Sequence, residues 1–152
     1  MPTNLEIRAA AESDWSTIAE FNIRLAAETE NKELDRLTVE AGVRGVLSDP
    51  RRGRYFVACA DGQIVGQLMH TYEWSDWRNG DIWWLQSVYV HPDFRRQGIF
   101  RRLNAWLSDL AAKDPGVVGL RLYVEQQNER AQQTYRSLNL VDPGYRVMER
   151  IF

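Results

Sequence analysis

The sequence predicts an α/β chain of the α+β kind: a mixed, mostly antiparallel sheet flanked by about four helices. Three observations predict it. The dipeptides Asp61-Gly62 and Asn79-Gly80 join three successive strand-like runs, and such turns need positive φ, which makes them strong hairpin signals. The stretch from Val88 to Val124 reads strand, helix, strand, which normally forms a right-handed crossover to a parallel neighbour. The 152 residues form one ordinary domain, 1–152, a length that buries roughly 70% of the unfolded surface without covalent staples.

Leu5 to Ala9 alternates as a short strand. Ser13 is the expected N-cap of the first helix, in which Trp15, Ile18, Ala19, Leu25 and Ala26 share a face with Asn22 as the polar exception. Glu28 to Glu33 reads as a loop, and a second helix covers Thr38 to Leu47, ahead of Pro50. Tyr55–Ala60, Gln63–Met69 and Ile82–Val90 are the three hairpin strands. From Gly98 the spacing turns helical: Ile99, Leu103, Trp106, Leu107 and Leu110 fall on one face, and Pro115-Gly116 stops the helix. Val117–Val124 is a strand, Glu129–Leu138 a short helix and Tyr145–Ile151 a final strand.

Lys plus Arg number 19 and Asp plus Glu 21, a net charge of −2. That balance excludes a bulk polycation for nucleic acid and an acidic disordered tail. No apolar run approaches the roughly 20 residues of a membrane span. Met1-Pro2-Thr3-Asn4 shows no basic or apolar export region. The single cysteine, Cys59, reads as a small buried hydrophobe. The expectation is a soluble cytoplasmic protein without nucleic-acid or membrane partners.

The most informative segment is Val90-His91-Pro92-Asp93-Phe94-Arg95-Arg96-Gln97-Gly98-Ile99-Phe100-Arg101-Arg102. A strand ends, and a tight loop with one glycine opens an amphipathic helix. Unpaired amides and the macrodipole at a helix start favour an anion such as pyrophosphate. Gly98 lets an oxygen approach the backbone, and Arg95, Arg96, Arg101 and Arg102 offer mobile positive charge. The alternatives are a plain turn glycine, a solvated basic face or nucleic-acid phosphates. No Lys-Ser or Lys-Thr follows the glycine, so this is not a P-loop.

The segment resembles the acyl-CoA pyrophosphate loop of GNAT-superfamily N-acetyltransferases, R/Q-x-x-G-x-G/A after a strand ending in V-x-P. Arg95-Arg96-Gln97-Gly98-Ile99-Phe100 fits except that Phe100 replaces a small residue. Asn128, Ala131 and Tyr135 fit the family's N-x-x-A-x-x-x-Y helix, with Asn139 in place of a later glycine. The opening Ile7-Arg8-Ala9-Ala10 with Asp14 and the element order agree as well.

The resemblance implies a sheet of six to seven strands whose parallel fourth and fifth strands splay to admit acetyl-CoA. By position, Ser87, Val88, Tyr89 and Val90 would offer backbone groups to the pantetheine arm. Arg95, Arg96, Gln97, Gly98, Ile99, Phe100 and Arg101 would hold the pyrophosphate, and Asn128 is a pantetheine contact, an N-cap, or both. An amide near Val88 would face the developing oxyanion, a donor typically worth about 3 kcal/mol. Tyr135 would be the general acid; its alternative is a packing role beside Ala131 and Leu138. Family members often carry a glutamate where Gln86 stands, so the base is open: Glu73 is favoured, and Asp76, Asp81 and Glu149 compete.

Four of six tryptophans lie between Trp74 and Trp84. Trp83 and Trp84 point to opposite faces of their strand. Trp74, Trp77 and Trp84, with Gln86 and an acidic neighbour, are candidates for an amine-binding box; packing or a homodimer contact is the alternative. The loop near Glu28 to Glu33 is a second candidate substrate wall. His70 and His91 lack metal-site spacing, and no metal is expected. The resemblance implies acetyl transfer from acetyl-CoA to a small-molecule or peptide amine. Its rivals are a non-catalytic acyl-CoA-binding module and a nucleic-acid-binding domain using Arg95 to Arg102.

Overall fold

The computed structural model describes residues 4–152; Met1–Thr3, part of the segment read above for an export signal, lie outside them. The chain packs as two compact units, one running to Leu122 and the other Tyr123–Phe152.

In the first unit β1 (Leu5–Ala9), β2 (Arg54–Ala60), β3 (Gln63–Ser75), β4 (Gly80–Val90) and β5 (Val117–Leu122) form one sheet in that order. The first four strands are antiparallel, and β4 and β5 are parallel. Asp61 and Gly62 both adopt positive φ, as the first expected hairpin turn requires. In the second hairpin only Asn79 does, and Gly80 already pairs with Ser75, so that turn spans the four residues 76–79 instead of Asn79-Gly80. Helices α1 (Trp15–Glu30) and α2 (Arg36–Ser48) follow β1, and α3 (Ile99–Lys113) links β4 to β5.

β2 shows why the sheet is a middle layer. Tyr55, Val57 and Cys59 face a core with Ile18 and Ala19 of α1 and Val43 of α2. The alternate residues Phe56, Ala58 and Ala60 face a second core with Ile99, Leu103 and Leu107 of α3. Both faces are covered, so the strand is a continuous apolar run. Leu103 and Leu107 are fully buried, fixing α3, and with it the loop at its N-terminus, against the sheet.

The structure corrects several boundaries. Ser13 lies inside a 3-10 turn, Glu12–Asp14, and Asp14 stands at the N-cap position of α1. Asp35 caps α2, its carboxylate accepting from Thr38 N at 3.0 Å. Helix α1 runs through Glu28 to Glu30, so the loop expected from Glu28 starts at Asn31.

In the second unit α4 (Glu129–Ser137) begins at Asn128, whose side chain accepts from Ala131 N at 3.1 Å. The sheet has five strands among the described residues, fewer than the six to seven expected. The expected strand Tyr145–Ile151 carries no strand assignment. Its apolar residues Tyr145, Val147, Met148 and Ile151 are exposed. Tyr145, Val147 and Ile151 keep the period of two that suggested a strand, but among the described residues the alternation finds no pairing partner or apolar layer to bury against in this segment. Among the described residues no helix is long and apolar enough to cross a membrane.

Candidate active site

The site begins with a defect in β4. The β3–β4 register passes from Met69↔Gln86 to Gln67↔Tyr89, so Ser87 and Val88 together oppose Leu68. This is a β-bulge, and Ser87 sits in it at φ 51°. Trp83 and Leu85 face the α3 core before the bulge, and Val88 and Val90 pack against the same core after it. The extra residue therefore resets which face each later side chain meets. The parallel ladder to β5 ends at Leu85↔Leu122. Gln86–Val90 thus pairs with β3 on one edge and has no β5 ladder on the other.

β4 runs straight into the glycine loop. A 3-10 turn, Pro92–Phe94, is followed by Arg96 at φ 63° and by Gly98 at φ 78°, immediately before α3. Nothing lies within 4 Å of where a Cβ on Gly98 would sit. The approach to the first amides of α3 is open there, and no side chain caps them. Two of the four arginines already have protein partners. Arg95 pairs with Glu28 at 2.6 Å and donates to Val90 O at 2.9 Å. Arg102 donates to Leu5 O at 3.2 Å. Gln97 donates to Asp93 O at 3.3 Å.

Ser87 also lines a cavity of about 330 Å³ between α1 and α2. Leu25, Val39 and Val43 form apolar wall, Asn22 and Tyr55 join Ser87 as polar lining, and Glu30 adds one carboxylate. Asn22 Nδ2 donates to Tyr55 Oη at 3.0 Å. Gln67 Nε2 donates to Asn22 Oδ1 at 2.8 Å and to Ser87 O at 3.1 Å. Gln67 is fully buried, and its Oε1 has no hydrogen-bond partner. Burial pushes the Tyr55 phenol up, and contacts with Asn22 and Ser87 offset part of that rise. The phenol is therefore neutral at ordinary pH. Sequence reading missed this network. Its available signals were Asn22, polar on the apolar face of α1, and Gln67, polar within an apolar strand.

Comparison with known proteins gives the family. The model of the acetyltransferase (GNAT) family matches residues 12–139. The chain belongs to the GNAT acetyltransferase family. It is similar to a possible acetyltransferase from Clostridium difficile 630, at 47% identity over 97% of each chain with a TM-score of 0.92. A protein from Clostridium acetobutylicum described as a predicted acetyltransferase, solved with acetyl-CoA, shares the fold at 15% identity over 97% of this chain and 96% of that one, TM-score 0.80. A thialysine N-epsilon-acetyltransferase from Bos taurus is 33% identical over 79 residues, 52% of this chain and 45% of its own. The chain spans about half the length of the curated relatives it matches.

In this GNAT domain the remaining expected residues fall in separate places. Glu73 lies opposite Ile82, five residues before Ser87 along β4, or roughly 16 Å. Its two oxygens accept from Trp84 Nε1 at 3.1 Å and from Arg121 at 2.8 Å. Trp74 and Trp77 are exposed near the β3–β4 turn. Trp83 is buried, whereas Trp84, on the opposite face, is half-buried. Gln86 Nε2 donates to Thr71 Oγ1 at 2.8 Å. Asp76 and Asp81 belong to the same hairpin end, and Glu149 follows α4 in the second unit. His70 stacks on Trp83 with ring centroids 4.0 Å apart, and His91 caps the Pro92–Phe94 turn. Among the described residues no group of His, Cys, Asp and Glu could hold a metal ion. Tyr135 lies on α4, seven positions after its N-cap, and burial raises its phenol.

Proposed function

We propose that this chain transfers the acetyl group of acetyl-CoA directly to a primary amine. The observation that carries the reading is the continuity of one strand. The bulged segment of β4, unpaired toward β5 beyond Leu85, leads into the Arg95–Gly98 loop and the start of α3. A thioester arm needs backbone partners along an extended edge, and its diphosphate needs amides at a helix start. Both lie on consecutive residues here. Acetyl-CoA supplies an activated carbonyl and a thiol leaving group.

On this reading Ser87–Val90 hold the arm, and the Val88 amide faces the charge that develops on the carbonyl oxygen. The Arg96–Arg101 amides hold the diphosphate. The amine nitrogen forms a bond to the carbonyl carbon, the carbon–sulfur bond breaks, and Tyr135 gives its proton to the sulfur, a role supported by its place in the family's helix pattern. The amine loses its proton to water. Glu73 is not assigned as base, because both its oxygens are engaged near the far end of the hairpin.

The acceptor enters the cavity beside Ser87. Its apolar walls and single carboxylate suit an amine on a flexible aliphatic stem, the chemistry that the name of the thialysine-acetylating relatives also denotes. The exposed Trp74 and Trp77 are not part of that cavity. The test is thiol release from acetyl-CoA over a panel of aliphatic primary amines that includes thialysine. Turnover with at least one amine, giving a product one acetyl group heavier, is expected. Acetyl-CoA binding with no turnover across the panel would favour a non-catalytic acyl-CoA-binding module.

A further inference from the structure

We propose that Glu28 is a positioning residue for the donor loop, and that Arg95, which it holds, is a strut between α1, β4 and that loop instead of a ligand for the donor's phosphates. The inference rests on the reading of the Arg95–Arg101 segment as the donor site.

Arg95 is fixed from three directions. Nη2 meets Glu28 Oε2 at 2.6 Å, Nε donates to Val90 O at 2.9 Å, and the guanidinium lies 5.3 Å from the centre of the Tyr89 ring. Glu28 is committed through both oxygens, its Oε1 accepting from Tyr89 Oη at 2.9 Å. Tyr89 is itself buried, with its ring centre 4.9 Å from that of Phe21 of α1. Partial burial alone would raise the Glu28 carboxyl. The hydrogen bonds from Arg95 and Tyr89, together with the charges of Arg95 and Arg24, outweigh it and hold the pKa below its usual value.

A lone surface ion pair contributes little. This one is built into a network that starts on a buried ring. Its charge already faces a carboxylate, so little remains for a phosphate. What the network fixes is backbone. The bond from Arg95 to Val90 O ties the loop's first residue to the last residue of β4. Arg96 and Gly98 then turn at positive φ from that anchored point. Glu28 also stands two residues before Glu30, which lines the acceptor cavity. The donor loop and the acceptor wall therefore share the last turn of one helix, and any coupling between the two ligands is reciprocal.

The test has a sign. Coenzyme A is titrated into the wild type, Glu28→Gln, Arg95→Gln and the double variant, with melting curves to show that each is folded. If Glu28 and Arg95 form a strut, either single change weakens coenzyme A about tenfold, and the double variant is no worse than either one. The KM for acetyl-CoA rises in step, while kcat at saturation changes less than about twofold. If Arg95 is a phosphate ligand that Glu28 restrains, Glu28→Gln releases it and coenzyme A binds more tightly. Tighter or unchanged binding by Glu28→Gln, or additive losses in the double variant, overturns the inference. Should Glu28→Gln fail to fold, Tyr89→Phe removes one bond to the same carboxylate and is expected to weaken binding about threefold; unchanged affinity there overturns the inference too. A folded wild type that does not bind coenzyme A overturns the donor-site reading beneath it.

Discussion

Burial raises the phenol of Tyr135, so the residue stays protonated at neutral pH. A general acid must carry its proton when the leaving group departs, and a thiol with pKa near 8.5 needs only partial transfer from a phenol. Tyr135→Phe is therefore expected to lower kcat about 100-fold with the coenzyme A Kd unchanged. Steady-state kinetics beside a binding titration checks this; unchanged turnover with chemistry limiting removes Tyr135 from the mechanism. At this scale the sequence was informative wherever residue type and spacing express a local need. Gly98, Asn128 and the positive-φ pair Asp61-Gly62 are such cases. It was silent on partners distant in the chain. Nothing local marks Glu28 as the partner of Arg95, 67 residues later. Likewise Asn22 was visible as a polar exception, but its bond to Gln67, 45 residues away, was not.

Elements were legible where their period is long and their ends are capped. Four strands of the sheet and the four described helices lie within a few residues of their expected positions, because the apolar run of β2, buried on both faces, and the stripe of α3 match what they bury. β3 runs six residues past its expected end, to Ser75. The β4 bulge was not legible: Gln86-Ser87 continues an ordinary strand pattern, and only pairing with Leu68 shows the extra residue. The sheet also holds a titratable group in its α3-side layer. His70 of β3 is fully buried, stacks on Trp83 and accepts from Arg54 Nε at 3.1 Å. Burial first, and the Arg54 charge second, lower its pKa to about 4. An unfolded histidine titrates near 6.5, so between about 4 and 6.5 the unfolded chain binds more protons and stability rises with pH. Melting temperature is expected to fall as pH drops through that window, and His70→Gln to flatten the fall. Ion pairs such as Arg8–Asp14 weaken only below about 3.9, outside most of it. A wild-type melting temperature that is level from pH 7 to about 4.5 would contradict the assignment.

For the whole molecule, a chain of net charge −2 places Arg96 and Arg101 around the uncapped amides at the start of α3, where the strand that leads into them lacks a β5 partner. That arrangement concerns an anionic, extended ligand, and the family match over residues 12–139 agrees with it. The central claim is that coenzyme A occupies this edge and loop. Melting temperature followed against coenzyme A concentration tests it most directly. A specific ligand adds roughly 2.7 kcal/mol at a hundredfold excess over its Kd, so the curve should climb steadily with concentration. A melting temperature that stays constant up to millimolar coenzyme A would contradict the claim.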